Sequence, residues 1–302
     1  MKKIIAFTVC FILASFVNAQ KKKVYKEHTL LWKISGNGLS NPSYLFGTIH
    51  MLCASDAFLS TNLKEAIKNV DEVYFELDMD NLSEMLDGIS NMKMKNDSTF
   101  IDLMSASDYQ KVKNYFEEHN AFIPFSILES FKPFFAASTM TQKDLPCDEI
   151  ISMEEMVMKQ CLADGKKIMG METLIDQLEV FDKIPYVLQA KLMIQYIDSL
   201  VLGKTNTKEF EELMQAYKSQ DLTKFEALSK DIELGLADFT DLILYDRNKK
   251  WVEKLKALLP KKSMVIAVGA GHLPGENGLI ELLKKEGFKL TPVENRKKTK
   301  EL

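Results

Sequence analysis

The residues best suited to metal or acid–base chemistry are few in this 302-residue sequence, and two of them share a local pattern. Only four histidines are present, and His50 and His272 each follow a short apolar run that ends in Gly-x-x-His. The first string is YLFGTIH and the second is VIAVGAGH. The same context around a rare residue suggests that the two imidazoles share one site.

Two glutamates accompany these histidines at the ends of predicted strands. Glu76 lies near the end of EVYFEL, and Glu172 ends the run KKIMGME. Ligands of open α/β sheets bind outside the carboxyl ends of the strands, so we expect all four side chains at one rim. Two imidazoles and one carboxylate, here His50, His272 and Glu76, are a set that zinc, iron or manganese accepts with an open position. Water at such a position ionises near neutral pH and can attack a carbonyl group.

Each of these residues also has an interpretation that involves no metal. A histidine after a strand can simply hydrogen-bond its loop neighbours. Glu76 follows VYF in an apolar strand, where an unpaired carboxylate is costly to bury, so it needs either a basic partner such as an arginine or a bound cation. Glu172 could instead stabilise the start of the following helix. Arg247 and Asn248, in YDRNKKW, fit either a surface ion pair or the stabilisation of a substrate carbonyl.

The hydrophobic patterns predict an α/β arrangement that would carry these residues. Strands are predicted at LLWKIS, YLFGT, DEVYFELD, KKIMGME, SMVIAVG and FKLTPV. The first two, joined by GNGLSNPS, predict a hairpin, which leads into a strand–helix–strand unit and therefore a parallel pair.

Helices are predicted between these strands and through most of the middle of the chain. One of them starts with the capping pattern Ser152-x-x-Glu155, Thr173 caps another, and residues 185–259 have a helical pattern. The predicted fold class is therefore α/β, with a central mixed sheet flanked by helices and a large helical insertion.

The first nineteen residues have the layout of a secretory signal peptide cut after Ala19. Lys2 and Lys3 precede an apolar run over residues 4–17, which is shorter than the roughly 20 residues needed to span a membrane. The alternative is an uncleaved membrane anchor. We expect residues 1–19 to be a signal peptide and residues 20–302 a single domain. The mature protein would then be exported, to the periplasm or outside the cell, without a stable membrane anchor.

Cysteine content and charge limit the classes of partner. Cys53, Cys147 and Cys161 remain after cleavage, so at least one thiol has no partner within the chain. A disulfide between Cys147 and Cys161 is one option in an oxidising compartment, and the sequence does not decide it. The formal net charge of −4 gives no electrostatic reason to expect a nucleic-acid partner.

The motifs together resemble the TraB/GumN family, whose animal relatives are the Tiki metalloproteases. The matching strings are YLFGTIHM, VDEVYFELD, GKKIMGMETLIDQL, DRNKKW and VIAVGAGHLPGENGLIELLKKEGF, which span almost the whole mature chain in the order of the family. The resemblance implies an α/β fold with a central sheet. It also implies that His50, Glu76 and His272 are metal-site residues, with metal-dependent peptide hydrolysis that uses manganese or cobalt.

The leading hypothesis is therefore an exported metal-dependent hydrolase, more specifically a peptidase acting on peptide or protein substrates. The three metal-site residues would hold manganese or cobalt, with zinc as an alternative. Glu172 would be a fourth ligand or the general base, and Arg247 and Asn248 would stabilise the developing oxyanion. The alternative is a non-catalytic protein that binds a peptide or haem in the same crevice. A cofactor-free esterase is less favoured because no Gly-x-Ser-x-Gly elbow is present.

Overall fold

The computed structural model describes residues 24–297 apart from 79, 82, 84–87, 89, 120–122, 141–146, 148, 203–207 and 233–238. The predicted signal peptide, residues 1–19, lies outside the described residues. Within the described ranges, every helix is too short or too polar to span a bilayer.

A six-stranded mixed sheet lies at the centre of the described structure. In chain order the strands are β1 (Leu31–Ser35), β2 (Ser43–Thr48), β3 (Leu52–Cys53), β4 (Glu72–Leu77), β5 (Ile150–Ile151), β6 (Lys167–Glu172), β7 (Met264–Gly269) and β8 (Lys289–Val293). The sheet order is β6-β4-β7-β2-β1-β8, and β3 pairs with β5 in a separate ladder. The first four strands of that order are parallel, whereas β1 is antiparallel to both β2 and β8. The predicted mixed sheet is confirmed.

The two strands of the predicted strand–helix–strand unit are parallel, but they are not adjacent in the sheet. β1 and β2 form the predicted hairpin, and β2 and β4 are parallel, but β7 inserts between them. β7 is buried from Met264 to Val268. A strand that is apolar on both faces belongs in the interior of a parallel sheet, which explains the insertion. As a result, β2 and β7, which carry the two Gly-x-x-His strings, are neighbours.

Eleven α-helices are present among the described residues. They are α1 (Thr61–Asn69), α2 (Ala106–His119), α3 (Phe125–Leu128), α4 (Pro133–Ser138), α5 (Met153–Ala163), α6 (Leu174–Asp182), α7 (Tyr186–Val201), α8 (Lys208–Lys218), α9 (Leu222–Ile232), α10 (Asp246–Leu258) and α11 (Leu279–Lys285). The predicted caps are present, since the hydroxyls of Ser152 and Thr173 accept hydrogen bonds from the first turns of α5 and α6.

The buried apolar side chains form two clusters. The larger cluster joins the sheet to helices that include α1, α5, α10 and α11. The smaller cluster is built around Phe100 and Phe116 and joins α2, α3, α4 and α7. The predicted helical middle is therefore present, in two segments that follow β4 and β6.

The cysteine pairing differs from the option considered from the sequence. Cys53 is bonded to Cys147, and Cys161 is free and buried. The reason is local, because the pairing of β3 with β5 brings Cys147 to within a Cα–Cα distance of 5.9 Å of Cys53, while α5 directs Cys161 into the core. The disulfide therefore ties the loop that follows β2 to the segment that precedes α5.

Candidate functional site

The four residues expected at strand ends all lie at the carboxyl edge of the parallel strands. β2 and β7 pair in register through their last residues, so His50 and His272 follow neighbouring strand ends. Glu76 and Glu172 lie near the ends of β4 and β6, which also pair directly. The sheet therefore brings four distant segments of the chain to one rim.

Arg247, from the first turn of α10, joins the two carboxylates of this rim. Its Nη2 donates to Glu76 Oε2 at 2.6 Å and to Glu172 Oε1 at 2.5 Å, and its Nε donates to Glu172 Oε1 at 2.9 Å. Its Nη1 donates to the carbonyl oxygen of Ile243 at 3.0 Å. Trp251 Nε1 donates to Glu172 Oε2 at 3.1 Å, and its ring centroid lies 4.8 Å from the guanidinium carbon. Charge-assisted bonds on several edges fix the orientation of the guanidinium.

Glu76 is ionised in this setting. Burial opposes ionisation, but the charges of His272 and Arg247 and a hydrogen bond from Gly269 N–H outweigh it and lower the pKa of Glu76 to about 2. The Gly269 bond is 2.9 Å long, and Gln177 Nε2 also donates to Glu76 at 3.3 Å. His272 is itself neutral at neutral pH, so there Arg247 and Gly269 keep the carboxylate charged.

His272 is held in one tautomer by Asn248. The Asn248 Nδ2 donates to the carbonyl oxygens of His272 and Asn277, so its Oδ1 is the acceptor that faces His272 Nδ1 at 2.7 Å. The proton of the neutral ring must therefore be on Nδ1, which leaves a lone pair on Nε2. Burial lowers the pKa of His272 to about 4, against the attraction of Glu76. The Nε2 lies 3.7 Å from Glu76 Oε1 and 3.3 Å from Arg247 Nη1.

His50 lies at the exposed side of the rim and has a different partner. Its side chain is 77% exposed, and its Nδ1 lies 3.1 Å from Glu154 Oε1. The hydrogen bond with Glu154 is the main cause of a raised pKa of His50, and the charges of Glu76 and Arg247 also affect that pKa. Among the residues that the structure describes, no three His, Cys, Asp or Glu side chains are grouped as metal ligands would be.

Sequence reasoning missed two residues of this site. Trp251 lies in the YDRNKKW string that drew attention to Arg247, four positions further along α10 and so on the same helix face. Glu154 is adjacent to Glu155, which the capping pattern had singled out. Both residues are close in sequence to a recognised motif, but the motifs do not indicate that Trp251 contacts Glu172 or that Glu154 contacts His50.

A cavity of about 430 Å³ opens beside the carboxylate–arginine cluster. Glu172, Arg247 and Trp251 form part of its wall. The lining also includes charged side chains of both signs: Asp78, Asp176, Lys250 and Lys254.

The fold and the rim define a class of protein before any relative is considered. It is an α/β protein in which two Gly-x-x-His loops and two arginine-linked glutamates meet at the carboxyl ends of parallel strands. A sequence profile of the TraB/PrgY/gumN family matches residues 30–292. The chain belongs to this family.

Relatives with similar sequences include two proteins named as metalloproteases. Metalloprotease TIKI2 of Danio rerio is 21% identical over 87% of this chain and 60% of its own length. Metalloprotease TIKI1 of Homo sapiens is 24% identical over 90% of this chain and 64% of its own length. The protein YbaP of Escherichia coli strain K12, described as uncharacterized, is 21% identical over 86% of this chain and 99% of its own length. The chain thus spans less than two thirds of these TIKI relatives. No solved structure gives a significant match.

Proposed function

We propose that this protein is an exported metal-dependent peptidase in which His50, Glu76 and His272 hold one divalent ion. Support comes from the family and from the two TIKI relatives described above, which are 21% and 24% identical to this chain. The disulfide between Cys53 and Cys147 supports export, because such bonds persist in oxidising compartments.

The observation that carries the proposal is the pairing of an ionised carboxylate with a neutral imidazole. Asn248 keeps the proton of His272 on Nδ1, so the lone pair of Nε2 faces Glu76 Oε1 across 3.7 Å. Metal ligands must be deprotonated, and a ligating histidine usually donates its second ring N–H to a fixed partner. Glu76 and His272 satisfy both conditions before any ion is bound.

The types of donor suit a divalent ion, although among the described residues no three of them are grouped as ligands would be. Imidazole nitrogen and carboxylate oxygen suit manganese, cobalt and zinc alike, so the ion that activity selects has to be measured. His50 is engaged at Nδ1 by Glu154, which leaves its Nε2 as the third donor. When bound, an ion of this kind lowers the pKa of a coordinated water and polarises a carbonyl oxygen.

The network suggests roles for the other three residues of the rim. Glu172 accepts bonds from Arg247 and Trp251, which favours anchoring of the guanidinium over the ligand or general-base role expected from the sequence. Asn248 is fully buried, and its amide is engaged by His272 and a backbone carbonyl. That arrangement favours positioning of His272 over direct contact with an oxyanion.

Arg247 keeps the expected role as an oxyanion donor. All five of its N–H groups have acceptors, in Glu76, Glu172, Ile243 and His272. One Nη1–H of Arg247 now faces His272 Nε2. Once Nε2 binds another partner, that N–H would donate to a substrate carbonyl oxygen.

The test combines ion binding with peptide cleavage. The protein without residues 1–19 would be titrated calorimetrically with Mn²⁺, Co²⁺ and Zn²⁺ and incubated with a mixed peptide library read by mass spectrometry. Wild type should bind one ion and cleave only in its presence, and H272A and E76Q should lose both properties. H119A is the control, because His119 ends α2 and stacks on Tyr115 in a different part of the fold.

Two results would contradict the proposal. H272A could retain ion binding and cleavage, which would remove His272 from the site. Wild type could neither bind an ion nor cleave any peptide with one supplied, and a non-catalytic role of the same crevice would then become the better explanation.

A further inference from the structure

A buried carboxylate with no role in the sequence-based site lies directly against His50. Both carboxylate oxygens of Glu154 are sealed from solvent, and the Glu154 side chain as a whole is 22% exposed. The imidazole Nδ1 of His50, which is mostly exposed, lies 3.1 Å from Glu154 Oε1. The pair therefore joins a fixed, enclosed carboxylate to a histidine whose other edge faces outward.

The backbone around this pair is tied down on both sides. Met153 N–H donates to the carbonyl oxygen of Ile49 at 3.0 Å, so the start of α5 is bonded to the residue before His50. The β3–β5 ladder and the disulfide between Cys53 and Cys147 fix the same loop a few residues later. Because loop and helix start cannot move independently, the distance between His50 and Glu154 is set by the fold.

The surroundings of Glu154 leave its carboxylate directed at the histidine. The neighbouring Tyr217 hydroxyl is buried and donates to the carbonyl oxygen of Gly47 at 3.2 Å. An ionised carboxylate shielded from water requires hydrogen-bonded partners, and those of Glu154 include the His50 ring and the Thr48 hydroxyl. Glu155, the next residue, instead forms an ion pair with Lys159 on the outer face of α5.

We propose that Glu154 is a positioning residue that holds His50 through Nδ1, which leaves Nε2 free to bind the divalent ion of the proposed function. This inference rests on the proposed function for the ion and on the observed contact for the histidine. A carboxylate that accepts the second N–H of a ligating histidine fixes the ring orientation and makes the ligand more basic. Loss of such a partner lowers metal affinity by roughly 10- to 100-fold.

The first measurement is ion affinity in variants of α5. E154A should weaken Mn²⁺ binding by roughly 10- to 100-fold, and E154Q by less, because the amide oxygen still accepts a hydrogen bond from Nδ1. E155A is the matched control and should bind as wild type does. The effect of E154A should disappear in an H50A background, since a residue that acts through His50 has nothing left to position. Equal affinities of wild type, E154A and E154Q would overturn the proposal.

The second measurement does not depend on an ion. Long-range ¹H–¹⁵N spectra of the metal-free protein report which ring nitrogen carries the proton, and the chain has only four histidines to assign. Wild type at pH 8 should show His50 protonated on Nδ1, whereas E154A should show a mixture of tautomers. An unchanged His50 pattern in E154A would also overturn the proposal, even if that variant unfolds more easily.

These two readouts separate this proposal from the proposed function. If wild type binds no ion, the proposed function fails, and the ring spectra alone decide whether Glu154 positions His50. If wild type binds an ion while E154A retains both the affinity and the spectrum, the metal site stands and Glu154 has no part in it.

Discussion

Replacing Arg247 with methionine removes the cation that contacts both Glu76 and Glu172 and keeps a flexible apolar stem. The two glutamate side chains are only 17% and 8% exposed, so water cannot replace the guanidinium. Breaking a buried ion pair by removal of one partner costs about 3–5 kcal/mol, because the remaining charge is uncompensated. We expect R247M to lower the free energy of unfolding at pH 7 by about that amount.

The pH dependence of stability should change sign in this variant. In wild type, the pKa of His272 is about 4 instead of 6.5, so its contribution to stability is present above pH 6.5 and is lost as the pH falls towards 4. A shift of that size corresponds to roughly 3 kcal/mol. Glu76, with a pKa of about 2 instead of 4.5, adds a further loss below pH 4.5. Wild type should therefore become less stable from pH 7 to pH 4.

In R247M the two carboxylates would face each other without a counter-ion. Burial and like charge raise the pKa of a carboxyl group above its unfolded value, so protonation on going from pH 7 to pH 5 should stabilise this variant. The same negative charge would also raise the pKa of His272 and act in the same direction. R247M should thus gain stability over the pH range in which wild type loses it.

The assay is urea unfolding followed by tryptophan fluorescence at pH 7, 6 and 5. R296M is the control, because Arg296 is exposed and its ion pair is with Glu294, which is also exposed. The triple variant E76Q/R247M/E172Q should recover part of the loss, since it removes the uncompensated charge. If R247M loses less than about 1 kcal/mol, below the range for a broken buried pair, and follows the wild-type pH trend, Arg247 does not neutralise these carboxylates.

Three further predictions address the elements that support the rim. N248A should cost about 1–3 kcal/mol by leaving the Nδ1 of buried His272 unsatisfied, and should change the ring-nitrogen spectrum of His272. The variant C53S/C147S lacks the disulfide, which links residues 94 positions apart. In the chain-entropy description its free energy of unfolding should be lower by about 4–5 kcal/mol, as measured by calorimetry. G278A should be destabilised by more than about 2 kcal/mol in urea, because a Cβ at Gly278 would lie 2.0 Å from a backbone carbonyl oxygen.

Each of these predictions has a control or a contrary result. N248D offers the same acceptor oxygen to His272 and should keep the ring tautomer that N248A loses. An unchanged melting temperature for C53S/C147S would mean that the β3–β5 ladder holds without the covalent link. G271A is the control for G278A, because a Cβ at Gly271 would meet only the methyl groups of Leu244 at 3.9 and 4.0 Å.

The strand ends of the site could be read from the sequence because they are local features. An apolar run long enough for a buried strand, followed by glycine, marks where β2 and β7 end, and His50 and His272 follow at fixed offsets. Glu76 and Glu172 are placed in the same way by the ends of β4 and β6. The mixed sheet followed from the same runs, together with the hairpin signal between the first two.

The partners across the rim could not be predicted, because they depend on how distant elements pack. The guanidinium of Arg247 reaches Glu76 because α10 lies over the ends of β4 and β6. The sequence left Glu76 with either an arginine or a cation as its partner, and the structure shows the arginine. The apolar pattern of β7 predicts an interior strand, but its position between β2 and β4 depends on how distant segments pack.

Glu154 shows how a correct local signal can still hide a site residue. The pattern Ser152-x-x-Glu155 correctly predicts the start of α5, but it singles out Glu155, which faces solvent. Successive residues of a helix point about 100° apart, so the preceding position, Glu154, faces the loop after β2 instead. A charged residue on the inner side of a first helical turn needs a partner, and the His50 ring lies next to the Glu154 carboxylate. The helical period therefore identifies Glu154 as the inward-facing carboxylate, whereas the β3–β5 ladder identifies the histidine that it meets.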